Sequence, residues 1–281
     1  MMVGDRLRMT AYLDAIRDVV RPGDVVVDIG SGTGVFALAA CRAGARRVYA
    51  IESGNIVHVA REIVAANGCG SSIEMLEGLS TDVTLAKPAD VVVLDVRGVL
   101  PDDQIPTAVD ARRRFLREGG RMIPASDTLW AAPLSAPAVY DRYVSVWDHD
   151  EDGLDLGPIR RHATSRWFKC QVTRDQLAAD PVCLGTIDYH RMTDTGFQAH
   201  AAWTIPEPRV AHGVVVWFDS QVSEHVWLSN RPGAPALLYG QGFFPWPSPR
   251  LLDAGHVVQF ELTGGVDGCS YGWHWRSDDA T

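Results

Sequence analysis

The chain has 281 residues, 46% hydrophobic and 22% charged, an ordinary globular composition with enough length for one large core or two modest ones. Its formal net charge is −9, with only two lysines, Lys87 and Lys169, which disfavours nucleic acid and favours cationic partners. No apolar run is long enough to cross a bilayer, and Met1 to Arg8 lack the apolar core of a signal peptide, so neither a membrane partner nor export is expected and the location predicted is cytoplasmic.

In chain order, Leu7, Leu13, Ile16, Val19 and Val20 mark one face of a helix that Pro22-Gly23 ends. Val25-Val26-Val27 predicts a short buried strand. Val35 to Arg42 predicts a helix stopped by Gly44, and Val48 to Ile51 a second strand. Ile56 to Ala66 reads as a helix closed by Asn67-Gly68. Val91 to Leu94 is wholly apolar, as in a sheet covered on both faces. A helix over about Ile105–Arg117 follows, then Gly119-Gly120 and a strand ending at Pro124. This alternation predicts a Rossmann-like, doubly wound α/β sheet over residues 1–125.

After Pro124 helical periodicity nearly disappears. Alternating runs at Thr128–Leu134, Trp167–Thr173, Gln198–Ile205, Gly213–Gln221 and Val257–Thr263 predict an antiparallel, barrel-like β domain over residues 126–281. His149 to His162 are acidic and Gly-rich, an excursion from that domain. The five cysteines, Cys41, Cys69, Cys170, Cys183 and Cys269, are scattered and never spaced as CxxC. The nine histidines form no HExxH, so neither a disulfide framework nor a metal site is expected.

The strongest chemical signal is Asp28-Ile29-Gly30-Ser31-Gly32-Thr33-Gly34, leaving a strand and entering a helix. Glycines here let the backbone approach a ligand with no Cβ in the way. Asp28 ahead of them would repel a diphosphate, and Glu52 at the end of the second strand is placed to accept from ribose hydroxyls. The pattern G-x-G-x-G with an acid before it suits S-adenosylmethionine, a nucleoside carrying a sulfonium and a zwitterionic amino acid. It departs from the G-x-G-x-x-G of dinucleotide sites.

Residues Asp5 to Leu134 resemble the catalytic core of the protein arginine methyltransferases in motif order and spacing. Arg8 to Tyr12 resembles the family's R-x-x-x-Y, Asp28 to Gly34 its glycine loop, Ala43 to Val48 with Ile51-Glu52 its second strand, and Ala111 to Pro124 its G-G-x-x-x-P stretch. The similarity continues more faintly to about Trp275.

The resemblance implies that Arg8 binds the cofactor's carboxylate, that Glu52 binds its ribose, and that Ser80 and Thr81 lie at the adenine edge. It places Asp95 first in a carboxylate clamp for the acceptor and Asp103 second, with Asp102 as the alternative, on a loop shorter than the family's. Acids before a helix also serve as N-caps, which is the competing role for Asp102 and Asp103. The T-H-W loop of the family corresponds to Leu237-Leu238-Tyr239, so its histidine is lost, and with few residues ahead of Arg8 the resemblance leads us to expect little of the family's lid helix.

The activity implied is methyl transfer from S-adenosylmethionine to a guanidino or amino nitrogen of a peptide or small molecule. The resemblance further implies a homodimer, with an arm around residues 149–166 reaching onto the partner. Three other readings share these features: an O-methyltransferase on a small metabolite, an NAD(P)-dependent Rossmann oxidoreductase, and a non-catalytic cofactor-binding scaffold.

Overall fold

The computed structural model describes residues 2–148, 153–267 and 270–280. Cys269 and residues 149–152 of the expected arm lie outside them. Helix α1 (Arg6–Val19) begins at Asp5, whose Oδ1 accepts from the Arg8 backbone N–H at 3.1 Å and so satisfies one of the donors a helix start leaves unpaired. Its buried face carries Tyr12, Ala15 and Ile16.

β1 (Val25–Ile29) follows, then α2 (Val35–Arg42), β2 (Arg47–Glu52), α3 (Ile56–Ala66), β3 (Ile73–Glu77), β4 (Ala89–Leu94), α4 (Gln104–Arg114) and β5 (Leu116–Ile123). The five strands form one parallel sheet in the order β3-β2-β1-β4-β5. Every residue of β1 is buried, because helices cover both faces of a parallel sheet.

Two local readings change. β3 was not expected, because an edge strand with Glu74 and Glu77 among five residues presents no apolar run. The helix expected to reach Arg117 stops at Arg114, and Leu116 already pairs with Ala89 of β4. The register then slips so that Val91 faces Arg121, and Gly119, at φ 68°, takes up the surplus residues as a bulge.

The second half continues with β6 (Ser126–Leu134), α5 (Pro137–Tyr143), α6 (Gly157–Ala163), β7 (Phe168–Cys170), β8 (Val182–Asp188), β9 (Phe197–Thr204), β10 (Arg209–Gln221), β11 (Trp227–Ser229), β12 (Gln241–Leu252), β13 (Val257–Asp267) and β14 (Ser270–Ala280). One antiparallel sheet runs β7-β12-β10-β6-β8 with β11 on β10; another runs β14-β13-β9. β9 packs against both β6 and β8, which joins the two sheets.

β12 was hidden in the sequence by Pro245, Pro247 and Pro249, residues that normally argue against a central strand. It pairs with β10 across a register slip at Ala211/Gly213. There a Cβ on Gly213 would stand 2.2 Å from the Phe244 carbonyl, so only glycine fits. The expected arm around 149–166 contains α6, held by Arg160, whose Nη1 donates to the Pro247 carbonyl at 2.8 Å.

β10 divides the interior. Val214, Val216 and Phe218 join the same apolar cluster as β1 and β4, while Val215 and Trp217 pack beneath α5 with Tyr140. The first sheet and the β-rich half therefore share a core. Among the described residues, no helix is long and apolar enough to cross a membrane.

Candidate active site

The sheet order reverses between β1 and β4, and ligands of open α/β sheets bind outside the carboxyl ends of strands at such a switch point. The glycine loop leaves β1 there. Gly30 and Ser31 donate their backbone N–H groups to the Ile51 carbonyl at 2.9 and 3.0 Å, which folds the loop back over β2. Glu52 completes the tie: its Oε2 accepts from Gly32 N at 2.8 Å and its Oε1 from Gly54 N at 2.7 Å.

Gly30 has no room for a side chain, since at φ 70° a Cβ would lie 2.7 Å from Val96 Cγ1. Gly34, at φ 78°, is the entry to α2 and stands beside Ala60, Val64 and Met75. Asp28 is 1% exposed beneath the loop and accepts from Ala37 N at 3.1 Å. Burial pushes its carboxyl up to about 7, Ala37 N–H works the other way, and the negative Glu52 adds to the rise.

A cavity opens against this loop. Gly30, Ser31, Gly32 and Thr33 form one wall, Met9, Phe36 and Ile56 supply apolar surface, and Arg8 and Asp95 stand at one side. The hydroxyl of Ser31 is buried there with no hydrogen-bond partner. A backbone cradle, one cation and an unsatisfied hydroxyl fit the amino-acid end of S-adenosylmethionine. The carboxylate of Glu52 keeps lone pairs beyond its two backbone contacts for ribose hydroxyls.

Asp95 leaves the end of β4 and is 7% exposed. Three groups converge on it. The Arg8 Nε donates to its Oδ2, and the Tyr239 hydroxyl lies 2.7 Å from each of its oxygens. Arg97 Nε stands 3.8 Å from Oδ1. Burial and the neighbouring Asp95 push the Tyr239 phenol upward, so it acts as a donor. The Arg8 guanidinium also lies 5.2 Å from the Phe36 ring centre and 5.6 Å from that of Tyr12, two rings stacked at 5.0 Å.

Behind Asp95 is a second buried layer. Arg97 pairs with Asp127 of β6 at 2.6 Å, and its guanidinium lies 4.5 Å from the Phe218 ring centre. Tyr189 donates to Asp127 Oδ2 at 2.5 Å. Burial works against the charge of Arg97, but Asp127 and the surrounding tyrosines outweigh it and keep the guanidinium ionised. Gln104, wholly buried at the start of α4, accepts from Val96 N at 3.1 Å and so pins the loop that follows Asp95.

The remaining expected residues are spread out. Asp102 is half-buried and accepts from the Trp273 indole N–H; burial raises its carboxyl to about 6, with Asp103 adding to the rise and the indole bond opposing it. Asp103 is exposed and stands at the start of α4 without a side-chain cap hydrogen bond. Ser80 and Thr81 lie in a 3-10 turn over 80–82, where the Ser80 carbonyl accepts from Arg114 Nη1 at 2.9 Å, and they are not part of the cavity wall.

Sequence reasoning missed Tyr239, Arg97, Asp127 and Tyr189. The sequence places Tyr239 at the T-H-W loop without a role, and of the other three Arg97 carries a local signal, a charge two residues after Asp95 at the end of an apolar strand. The cysteines Cys41, Cys69, Cys170 and Cys183 are free, and no cluster of potential metal ligands occurs among the described residues.

Comparison with known proteins matches both halves. Residues 9–123 match the family model of ribosomal protein L11 methyltransferase (PrmA), and residues 125–264 match the arginine methyltransferase oligomerization subdomain. The chain is 34% identical to a probable protein arginine N-methyltransferase 6 of Arabidopsis thaliana, over 95% of this chain and 62% of that protein. It is 30% identical to a probable histone-arginine methyltransferase CARM1 of Oryza sativa, over 94% of this chain and 52% of that one. The chain thus spans between about half and two-thirds of the length of these relatives.

Among solved structures, the fold is similar to that of a Trypanosoma brucei PRMT1 enzyme-prozyme heterotetrameric complex with AdoHcy. The TM-score is 0.89 at 22% identity, covering 100% of this chain and 92% of that one. It is also similar to Arabidopsis thaliana protein arginine methyltransferase 10, with a TM-score of 0.80 at 20% identity over 100% and 96% of the two chains.

Proposed function

Since the chain is protein arginine methyltransferase-like in both its halves, we propose that it transfers a methyl group from S-adenosylmethionine to a cationic guanidino or amino nitrogen of a peptide or small molecule. The observation that carries this reading is the meeting of Arg8 and Asp95 at one cavity with the glycine loop. Bound S-adenosylmethionine would supply a methyl carbon activated by its sulfonium.

In this reading the chain's own residues position the two reactants. Arg8 holds the cofactor's carboxylate, Glu52 its ribose, and Gly30 and Gly32 let the backbone come close; Asp28 sets the charge beneath the loop. Ser80 and Thr81 border the adenine, outside the cavity wall itself. Asp95 orients the acceptor nitrogen and stabilises the charge it carries. Of the two acids on the following loop, half-buried Asp102 is better suited to a second carboxylate than exposed Asp103.

Residues 1–125 would then bind the cofactor and residues 126–281 shape the acceptor site. A homodimer and a cytoplasmic setting belong to the same reading. The dimer is supported by exposed Leu154 and Ile159 in the arm and by exposed Leu7 and Val59 on α1 and α3. The experiment is incubation of the purified chain with isotopically labelled S-adenosylmethionine and an arginine- and lysine-containing peptide pool, followed by mass spectrometry. Labelled methyl on nitrogen supports the reading; failure to bind S-adenosylhomocysteine, or label found on oxygen alone, rejects it.

A further inference from the structure

Arg8 faces two ways. Its side chain forms part of the wall of the glycine-loop cavity, and its Nε donates to Asp95 and, at 3.0 Å, to the Tyr239 oxygen. Asp95 forms part of the same wall. Arg8 is 5% exposed, and its Nη1 donates to the Met2 carbonyl at 3.3 Å and to Met9 Sδ at 3.2 Å, both uncharged, so the anion it pairs with is Asp95.

The buried charges around it balance. Within the paired cluster Arg8 and Arg97 are the two cations and Asp95 and Asp127 the two anions; Asp28, beneath the glycine loop, feels both Arg8 and Asp95 but pairs with neither. Asp127 is the nearer partner of Arg97, at 2.6 Å against 3.8 Å for Asp95. Asp95 therefore relies on Arg8 for most of its charge compensation. A ligand carboxylate entering the cavity competes with Asp95 for the same guanidinium.

Resting on the S-adenosylmethionine reading of that cavity, we propose that Arg8 is a counter-ion exchanged between Asp95 and the cofactor's carboxylate. The Asp95 side of that cavity then takes one monocationic acceptor group, and takes it after the cofactor is bound. Drawing Arg8 toward the ligand leaves one uncompensated negative charge in a desolvated place, which a single guanidinium or ammonium matches and a neutral hydroxyl does not. Tyr239 keeps Asp95 in position throughout, because its hydroxyl reaches both carboxylate oxygens.

The exchange makes a prediction opposite to that of a simple structural ion pair. If Asp95 competes with the ligand carboxylate, neutralising it frees Arg8 and tightens the cofactor site. Calorimetry on the whole chain, with S-adenosylhomocysteine and with 5′-methylthioadenosine, which lacks the carboxylate, isolates that effect. Asp95→Asn should bind S-adenosylhomocysteine about fivefold or more tighter than wild type, with 5′-methylthioadenosine unchanged. Tyr239→Phe is the second variant: it removes a donor from Asp95 and also the oxygen that shares the Arg8 Nε proton, leaving Arg8 and Asp95 to each other, and should weaken S-adenosylhomocysteine several-fold with 5′-methylthioadenosine again unchanged.

A folded Asp95→Asn chain with equal or weaker S-adenosylhomocysteine affinity would mean that Arg8 bridges both carboxylates at once, and overturns the exchange while leaving the cofactor reading intact. Should Asp95→Asn not fold, an unchanged affinity in Tyr239→Phe overturns it instead. Wild-type chain that does not bind S-adenosylhomocysteine overturns the cofactor reading and the exchange together.

Discussion

The hydroxyl of Tyr239 lies 2.7 Å from both carboxylate oxygens of Asp95, 144 residues away in the chain. Leu238, its neighbour, donates its backbone N–H at 2.8 Å to Asp5 Oδ2, the same side chain that caps α1 and so places Arg8. One acid thus fixes two of the three groups that reach Asp95, Arg97 being the third. The segment that lacks the family's histidine supplies a phenol to the site instead. Tyr239→Phe should lower the unfolding free energy by about 1–3 kcal/mol, because a buried carboxylate loses a donor. Urea denaturation measures it, and a change within error would show that Arg8 and Arg97 suffice.

Arg97 and Asp127 are both nine-tenths or more buried, so removing one charge strands the other. Arg97→Met should cost about 3–5 kcal/mol of stability. Adding Asp127→Asn should restore part of that loss, and a double-mutant cycle by chemical denaturation reads the difference. Additive losses would mean that the pair is not coupled.

Glu52 grips Gly32 and Gly54 through their backbone N–H groups, and in the proposed function its remaining lone pairs serve a ribose. Glu52→Ala should weaken S-adenosylhomocysteine by about 1–3 kcal/mol, the loss expected for charged hydrogen bonds. Unchanged calorimetric affinity in a folded variant removes the ribose assignment.

Asp28 titrates near 7 beneath a loop read as receiving a sulfonium. A cation brought near favours the carboxylate, so S-adenosylmethionine affinity should rise as pH climbs through about 7, more steeply than that of uncharged-sulfur S-adenosylhomocysteine. Stability runs the opposite way. The folded value is raised from 3.8, so the folded chain binds the proton more tightly, and this contribution is complete below the unfolded value and lost as pH rises through about 7. Asp28→Asn should flatten both profiles; equal slopes for the two ligands would remove Asp28 from the charge balance.

The arm has a concrete test in its exposed apolar residues. Leu154 is 62% exposed and Ile159 43%, more surface than an isolated chain gains by showing. Light scattering at micromolar concentration should give twice the chain mass for wild type and the single-chain mass for Leu154→Asp with Ile159→Asp. A wild-type monomer rejects the dimer.

What the sequence determined by itself was local. The bounds of α2 and α3 were legible to the residue, because 3.6-residue periodicity and glycine stops lie within a dozen positions. The glycine loop and Glu52 were legible for the same reason, being one strand-turn-helix-strand unit. The strand bearing Asp95 was visible as an apolar run. Tertiary structure alone decided what surrounds that carboxylate. Phe218 and Ser220 reach Arg97 only because β10 is laid beside β6 in one register, and Tyr239 reaches Asp95 only because Asp5 ties its loop to α1. Strands such as β12 escaped notice because long-range pairing with β10 overrode the local preference of its prolines. Periodicity reports which face of an element is buried. It does not say which distant charge that face must neutralise, and in this chain the charges around Asp95 are compensated by residues brought from α1, β6 and the 237–239 segment.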